Sequence, residues 1–331
     1  MGNSALRKTG KKNPEPGNNT PRDDAPIIEA AWLYYHDGLN QSDIANRMQI
    51  SRASVVNYLS EARKRGWVRV YLNNDVFLGH QISDELCKAY GLQAALVVPD
   101  DPPGINSEVT RVTRAAADWL PRLLEPGDQL GVSWGETVYQ LAQQMTRNPI
   151  EDLTVVQLVG SRPAAPGFAA EACTTLLAQK LDGHCINLHV PLMLSNRNVR
   201  DMLCEEPVVA LQLAALAACN KTLFACGTCV AGAHVVQTGL IDPQSLKQYT
   251  AQGAVGVICG RLIDADGNPV VADTEERMIG VTREQMLNKD MGLLVAAGHG
   301  RAVSARAAIK GGYVTHLATS SSIARALLEA S

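Results

Sequence analysis

The chain has 331 residues, 33 acidic and 30 basic, for a formal charge of -3. Hydrophobic residues make up 46% and charged residues 19%, which excludes wholesale disorder and a coiled-coil rod. The length suits one small domain joined to a large one.

No apolar run reaches the roughly 18 residues of a membrane span. The longest, VVALQLAALAAC at 208–219, is short and interrupted by Gln212. The N-terminus carries Lys and Arg but no apolar stretch of a secretory signal, so the expected compartment is the cytoplasm. The eight cysteines sit mostly in apolar segments and read as small buried hydrophobes. Charge is uneven. Residues 1–72 hold eleven basic and seven acidic side chains, a net +4 against -7 in the remainder. A basic front on an acidic body points to nucleic-acid contact at the front alone.

Residues 1–26 are rich in Gly, Pro, Asn and Lys and read as a disordered arm, either a solvated tail or a basic segment touching DNA phosphates. Residues 27–72 read as a helix-turn-helix domain. Ile27, Ile28, Ala31, Trp32 and Tyr35 recur at helical spacing, and Asp37-Gly38 stops that helix. Ile44, Ala45 and Met48 stripe a second helix. Gln49-Ile50-Ser51 makes a tight turn, with Gln49 where such turns usually carry Gly. Ser51 is the expected N-cap of a third helix, with Val55, Val56 and Leu59 inward. WVRVYL at 67–72 alternates like a short wing strand.

A recognition helix needs hydrogen-bonding side chains near its start and phosphate donors at its flanks. Ser51, Arg52, Ser54, Asn57 and Tyr58 fit the base edges. Asn40, Gln41 and Ser42 fit the backbone, and Arg63, Lys64 and Arg65 fit phosphates. The expected partner is double-stranded operator DNA.

Residues 73–92 read as a linker helix able to pair subunits, and residues 93–331 as a large α/β domain for effector binding and oligomerisation. Candidate strands are 94–98, 129–134, 153–159, 185–190, 222–226, 254–258, 292–297 and 314–318, separated mostly by helix-length stretches such as 105–124 and 169–182. Such alternation implies a mostly parallel sheet covered by helices, with ligands beyond the strands' carboxyl ends.

Four loops are candidates. GVSWGETV (131–138) places Ser133, Gly135, Glu136 and Thr137 at a strand-to-helix turn whose free amides suit an anion such as phosphate. VGSRPAAPG (159–167) offers Gly160, Ser161 and the fork of Arg162. CGTC (226–229) offers Gly227 and Thr228 to a pocket, or Cys226 and Cys229 to redox or zinc chemistry. It lacks the second pair that a zinc site needs. The last region places Gly298, Gly300 and Arg301 after one strand, and Thr319, Ser320 and Ser321 after the next, where they also suit helix capping. No histidine falls in a catalytic pattern, and no cofactor is expected.

Taken in order, AAWLYYHDGLNQSDIANRMQISRASVVNYLSEARKRGWVRV, LGVSWGETV, LVGS, GAVGVICGRLIDADGNPV, RMIGVTREQM and KGGYVTHLAT resemble the SorC family (SorC/DeoR type) of sugar-responsive transcriptional regulators. The resemblance spans roughly residues 27–330. It implies a winged helix-turn-helix head on a C-terminal sugar-binding domain similar to ribose-5-phosphate isomerase A and glucosamine-6-phosphate deaminase. It implies dimers or tetramers whose DNA affinity responds to a sugar, polyol or sugar phosphate, and the chain resembles most the members that answer polyols or phosphorylated sugars. By motif, the effector loop carries over to Ser133, Gly135, Glu136 and Thr137, the second loop to Gly160 and Ser161, and the late glycine loop to Gly298. Three positions depart from the family pattern: Val257 stands where Asp is common, Arg301 where Lys is, and Ser320 where Asp follows Thr. Two other readings remain open at the level of sequence. One is a sugar-phosphate isomerase-like enzyme using Glu136 as base; the other is a redox sensor using Cys226 and Cys229.

Overall fold

The computed structural model describes residues 24–68, 81–100, 107–162 and 168–331. The chain divides into two compact units between Leu72 and Asn73.

The first unit is a three-helix bundle. Helix α1 (Ala25–Tyr35) starts two residues inside the stretch expected as an arm, because Pro26 falls in its first turn, where a missing amide costs nothing. The rest of that arm, residues 1–23, lies outside the described residues. Helix α2 (Gln41–Met48) is capped by Asn40, whose side-chain oxygen accepts from the amides of Ser42 and Asp43 at 2.9 and 3.0 Å. Gln49 follows in the left-handed region (φ 54°), as the turn demands. Helix α3 (Arg52–Lys64) is capped by Ser51, whose hydroxyl accepts from the amide of Ser54. The unit's core is Ile27, Ala30, Ala31, Leu33, Ile44, Ala45, Val55, Leu59 and Ala62.

One expected inward residue is corrected, and the buried side of α1 differs from its apolar spacing. Val56 is 41% exposed, since Val55, Leu59 and Ala62 already complete the inward stripe at i, i+4 and i+7. In α1 the buried side is Ile27, Ala30, Ala31 and Leu33, which leaves Ile28, Trp32 and Tyr35 outward. Residues 69–72 of the expected wing lie outside the described residues.

In the second unit, helix α4 (Gln81–Tyr90), expected as a linker, buries Ser83 and Leu86. Its Tyr90 hydroxyl donates to the Leu327 carbonyl at 2.6 Å, so the helix belongs to this unit. The strands are β1 (Ala94–Val98), β2 (Gln129–Val132), β3 (Thr154–Gln157), β4 (His184–Ile186) and β5 (Lys221–Phe224). After them come β6 (Cys226–Thr228), β7 (Gly256–Ile258), β8 (Arg261–Ile263), β9 (Pro269–Val270), β10 (Met291–Ala296) and β11 (His316–Ser320). Seven form one all-parallel sheet in the order β1-β11-β10-β5-β2-β3-β4. Except at the edge strand β4, which is largely exposed, their apolar runs are buried on both faces, as parallel strands require. The stretch 254–258, expected among them, instead supplies β7 to a separate antiparallel sheet, β6-β7-β8-β9. The turn at Cys259-Gly260 (φ 46° and 83°) folds β8 straight back on β7, and a parallel neighbour cannot be reached that way.

The helices over the sheet are α5 (Glu108–Trp119), α6 (Glu136–Gln144), α7 (Ala170–Leu181), α8 (Arg197–Glu205), α9 (Pro207–Ala218), α10 (His234–Gln237), α11 (Pro243–Ala251), α12 (Arg301–Lys310) and α13 (Ser321–Glu329). Among the described residues, no helix is long and apolar enough to cross a membrane.

At the amino ends of the central strands, Lys221 is buried and ion-paired to Asp128 at 2.7 Å. Burial pushes the Asp128 carboxyl up, but hydrogen bonds from Lys221, Asn220 and the Glu125 amide outweigh it and hold its pKa below the usual value. Burial, helped by Lys221, holds the nearby His316 below its usual value. Both groups favour the deprotonated form when folded, so the unfolded chain binds more protons and stability rises with pH and is lost as pH falls. The His316 loss begins as pH drops through about 6.5, and the Asp128 loss as pH drops below about 4. Urea midpoints should therefore decline from pH 7 to 5.5, and His316→Gln should flatten that decline. An unchanged slope in the variant would remove His316 as its source.

Candidate functional site

In the first unit, α2 and α3 cross at the left-handed Gln49 turn, which sets the start of α3 beside the start of α2. The Arg52 Nε donates to the Gln41 side-chain oxygen at 3.3 Å, tying the two helix starts together. Arg52, Asn57, Arg63 and Lys64 are exposed. Ser51 and Ser54 share a hydroxyl hydrogen bond of 2.8 Å, and Ser42 is exposed at the start of α2. Three expected contact residues have other partners. Asn40 is occupied as the α2 cap and donates to Asp43. Tyr58 packs partly into the head core. Arg65 is paired with Asp24 and Glu61, both at 2.6 Å, and lies over the Trp67 ring at 5.0 Å. The carboxylates raise its pKa and anchor it to α1's start.

In the second unit, a cavity of about 380 Å³ opens beyond the carboxyl ends of β2, β5 and β10. The chain runs from β2 outward to β3 and β4, then returns to β5 and proceeds the other way to β10 and β11. The cavity therefore sits where strand order reverses, the usual ligand position in such sheets. Gly135 ends the β2 loop with φ 105° and starts α6, and Gly300 starts α12 with φ 74°. Neither offers a capping side chain, so the first-turn amides at both helix starts stay open to the cavity. Two positive helix ends facing one space favour an anion.

The lining includes seven expected residues: Gly135, Glu136, Thr137, Gly227, Thr228, Gly298 and Arg301. Arg301 donates to the Cys226 carbonyl at 2.7 Å, which fixes its fork at the wall. Val257 also lines the wall, presenting an apolar side chain to the ligand space at the position where the resemblance implies an acid. Trp134, His234, Gln237, Cys259 and His299 line it as well and were not anticipated. Trp134 lies inside GVSWGETV, Cys259 inside GAVGVICGRLIDADGNPV, and His299 between the flagged Gly298 and Gly300; His234 and Gln237 lie in no flagged motif.

Five expected residues do not line the cavity. Ser133 is buried beneath it, its amide bonded to the Leu223 carbonyl. Gly160 is a packing glycine: a Cβ there would meet the Leu192 amide nitrogen at 2.6 Å. Ser161 bridges to Pro191. Arg162 lies one layer back, its guanidinium 3.7 Å from the Trp134 ring centroid, with Nε unpartnered and its pKa lowered to about 10 by burial. It remains cationic at neutral pH. Ser320 caps α13 and donates to Glu108 at 2.6 Å, so its departure from the family pattern leaves the cavity untouched.

Burial, then Arg162 and Arg301, holds His234 below its ordinary pKa. The neutral ring can both donate and accept. Burial pushes the thiols of Cys226, Cys229 and Cys259 up, the latter two to about 11, the opposite of a reactive thiolate. Among the described residues, no group of His, Cys, Asp or Glu is placed to hold a metal ion.

This geometry defines a class: a helix-turn-helix head joined to an α/β domain with an anion-receptive cavity at its switch point. A family model described as "putative sugar-binding domain" matches residues 75–329. The chain is 33% identical to the uncharacterized transcriptional regulator YjhU of Escherichia coli K12, over 94% of this chain and 96% of that one. It is 30% identical to the deoxyribonucleoside regulator of Bacillus subtilis, over 91% and 96%. Its fold matches the full-length sorbitol operon regulator SorC of Klebsiella pneumoniae with a TM-score of 0.75, at 22% identity, over 92% and 99%. The chain belongs to this sugar-binding family, the SorC type of transcriptional regulator. It is a regulator, not an enzyme, and the isomerase reading of Glu136 is set aside.

Proposed function

We propose that the chain binds an operator through α2 and α3, and that a phosphorylated sugar or polyol in the cavity alters that binding. One observation carries the effector class: the uncapped starts of α6 and α12 converge, with Arg301, on a single cavity. Two helix ends and a guanidinium suit a dianion better than a neutral polyol. The neutral His234, Gln237 and Thr137 supply donors and acceptors for sugar hydroxyls. Glu136, the carboxylate at the mouth, accepts from Gln140 at 3.0 Å and is available to a hydroxyl. Ligand binding alters DNA affinity only by favouring one arrangement of the heads over another. Operator palindromy would call for at least two heads, and thus for an oligomer. Such a regulator works beside its DNA, in the cytoplasm.

The test is titration of the full chain with matched pairs of free and phosphorylated pentoses, hexoses and polyols, followed by operator binding with each. Phosphorylated members alone should bind and shift DNA affinity. Equal binding of free and phosphorylated members would overturn the anion assignment.

In the head, Arg52→Ala should weaken operator binding by about ten-fold or more, the effect of losing one good side-chain contact at about 1–3 kcal/mol. Fluorescence anisotropy at fixed salt measures it. Wild-type affinity in the variant would put the groove contact elsewhere.

A further inference from the structure

Helices α2 and α3 begin with two residues that touch each other. Gln41 is the first residue of α2 and Arg52 the first of α3. Both backbones are fixed at that point. Asn40 caps α2 through the amides of Ser42 and Asp43, and Ser51 caps α3 through the amide of Ser54. Across the turn the Ile50 amide donates to the Ala45 carbonyl at 3.0 Å, and Ile44, Ala45 and Val55 are buried in the head core. Caps, turn and core together bring the two side chains into contact.

The chemistry of that contact allows one arrangement. A guanidinium donates hydrogen bonds and accepts none. The Gln41 oxygen must therefore face Arg52, where it takes the Nε hydrogen at 3.3 Å. Its amide nitrogen is turned away from that cation, free to donate elsewhere. The terminal fork of Arg52, Nη1 and Nη2, has no partner among the described residues. Other candidates for the base edges are less free: the hydroxyls of Ser51 and Ser54 are bonded to each other at 2.8 Å, and Tyr58 packs partly into the core. A fork with two parallel donors matches the O6 and N7 acceptors of guanine in the major groove, and no other base presents two acceptors side by side there.

We infer that Gln41 is a positioning residue for sequence reading: its amide oxygen holds Arg52 so that the terminal fork meets a guanine, while its amide nitrogen meets a neighbouring phosphate. The inference rests on the operator reading of α2 and α3, and adds to it the base that α3 selects and the residue that fixes the choice. The two ends of one side chain then do different things. The nitrogen contributes affinity for any sequence, and the oxygen contributes preference for guanine.

The test begins with selection of duplexes by the full chain from a randomised double-stranded pool. Fluorescence anisotropy at fixed salt then compares the selected site with its single-pair replacements. Wild type should lose affinity about ten-fold or more when one particular G·C pair of a half-site becomes A·T, the discrimination of a bidentate contact. Arg52→Lys keeps the charge without the fork, so it should bind those two duplexes within about three-fold of each other. Gln41→Ala should likewise lose discrimination at that pair alone, with the other pairs and the urea midpoint unchanged. Gln41→Glu keeps an acceptor for Arg52, so it should retain the preference for G·C while binding every duplex more weakly, because its carboxylate faces a phosphate. A merely structural Gln41 would lose affinity without changing the preference. Full discrimination in Gln41→Ala, or its loss in Gln41→Glu, would overturn the positioning role, and full discrimination in Arg52→Lys would overturn the guanine assignment. A wild type that selects no site would overturn the operator reading and this inference with it, an outcome seen before any variant is made.

Discussion

Glu275→Gln should destabilise the second unit by about 3–5 kcal/mol, the usual result of stripping one partner from a buried ion pair. Glu275 sits in a short helical turn, Glu275–Arg277, with its side chain 9% exposed. It accepts from Arg261 at 2.9 Å and from both terminal nitrogens of Arg283 at 2.7 and 2.9 Å. Both arginines are buried, and the Arg283 Nε already lacks a partner. Gln keeps the shape but cannot neutralise either guanidinium, so two desolvated cations would face each other across it. The triad ties β8 to the 281–283 segment, because Arg261 also donates to the Val281 carbonyl at 2.7 Å. That sheet carries Val257, Cys259 and Gly260 of the cavity wall, so the loss should loosen ligand binding too. Asp266→Asn, at the exposed pair with Lys310, should change stability by less than about 1 kcal/mol. Urea unfolding of the two variants side by side measures the contrast. A Glu275→Gln midpoint as close to wild type as that of Asp266→Asn would show that the triad contributes no net stability.

How much of this was legible in the sequence depended on how regularly each element spends its side chains. Strand β4, at the sheet edge, is largely exposed, but the other six of the seven parallel strands were readable because strands buried on both faces are continuous apolar runs. The second sheet was not. Its strands are two or three residues long, and β8 begins with a buried Arg261 that breaks any apolar pattern. The head was legible at its turn and caps, since Gln49, Asn40 and Ser51 act through local backbone chemistry. It was less legible on its faces: Val56 and Trp32 are apolar and outward, and spacing alone does not say which side a bundle covers. In the cavity, glycines and hydroxyls at strand ends were found because a strand-to-helix turn announces them. His234 and Gln237 were missed because they come from a four-residue helix that lies at no strand end. Cys259 was missed because a cysteine at φ 46° has no sequence signature. Gly160 and Ser320 misled because packing glycines and capping serines look like loop residues until their neighbours are known.

Gly135→Asp should abolish the response to a phosphorylated effector while leaving operator binding intact. Gly135 is the N-cap of α6 and lines the cavity, at φ 105°. An aspartate there would place a carboxylate where the helix end receives an anion, and it would also offer its oxygens to the amides the ligand needs. Like charge across such a contact costs several kcal/mol, so effector affinity should fall about 100-fold or more. Backbone conformation contributes separately, because φ 105° with ψ 176° is a region essentially reserved for glycine, where a side chain costs roughly 1–3 kcal/mol. Gly135→Ala isolates that part: a Cβ at this position meets nothing within 4 Å, so alanine bears the conformational cost without the charge. Alanine should therefore weaken effector binding modestly and aspartate drastically, with the gap between them narrowing as salt rises. Calorimetric titration of both variants gives the affinities, and operator anisotropy checks that the head, a separate unit, still binds. Equal losses for alanine and aspartate would mean that the loop acts through its backbone shape, and the anion would then have to be held elsewhere in the cavity.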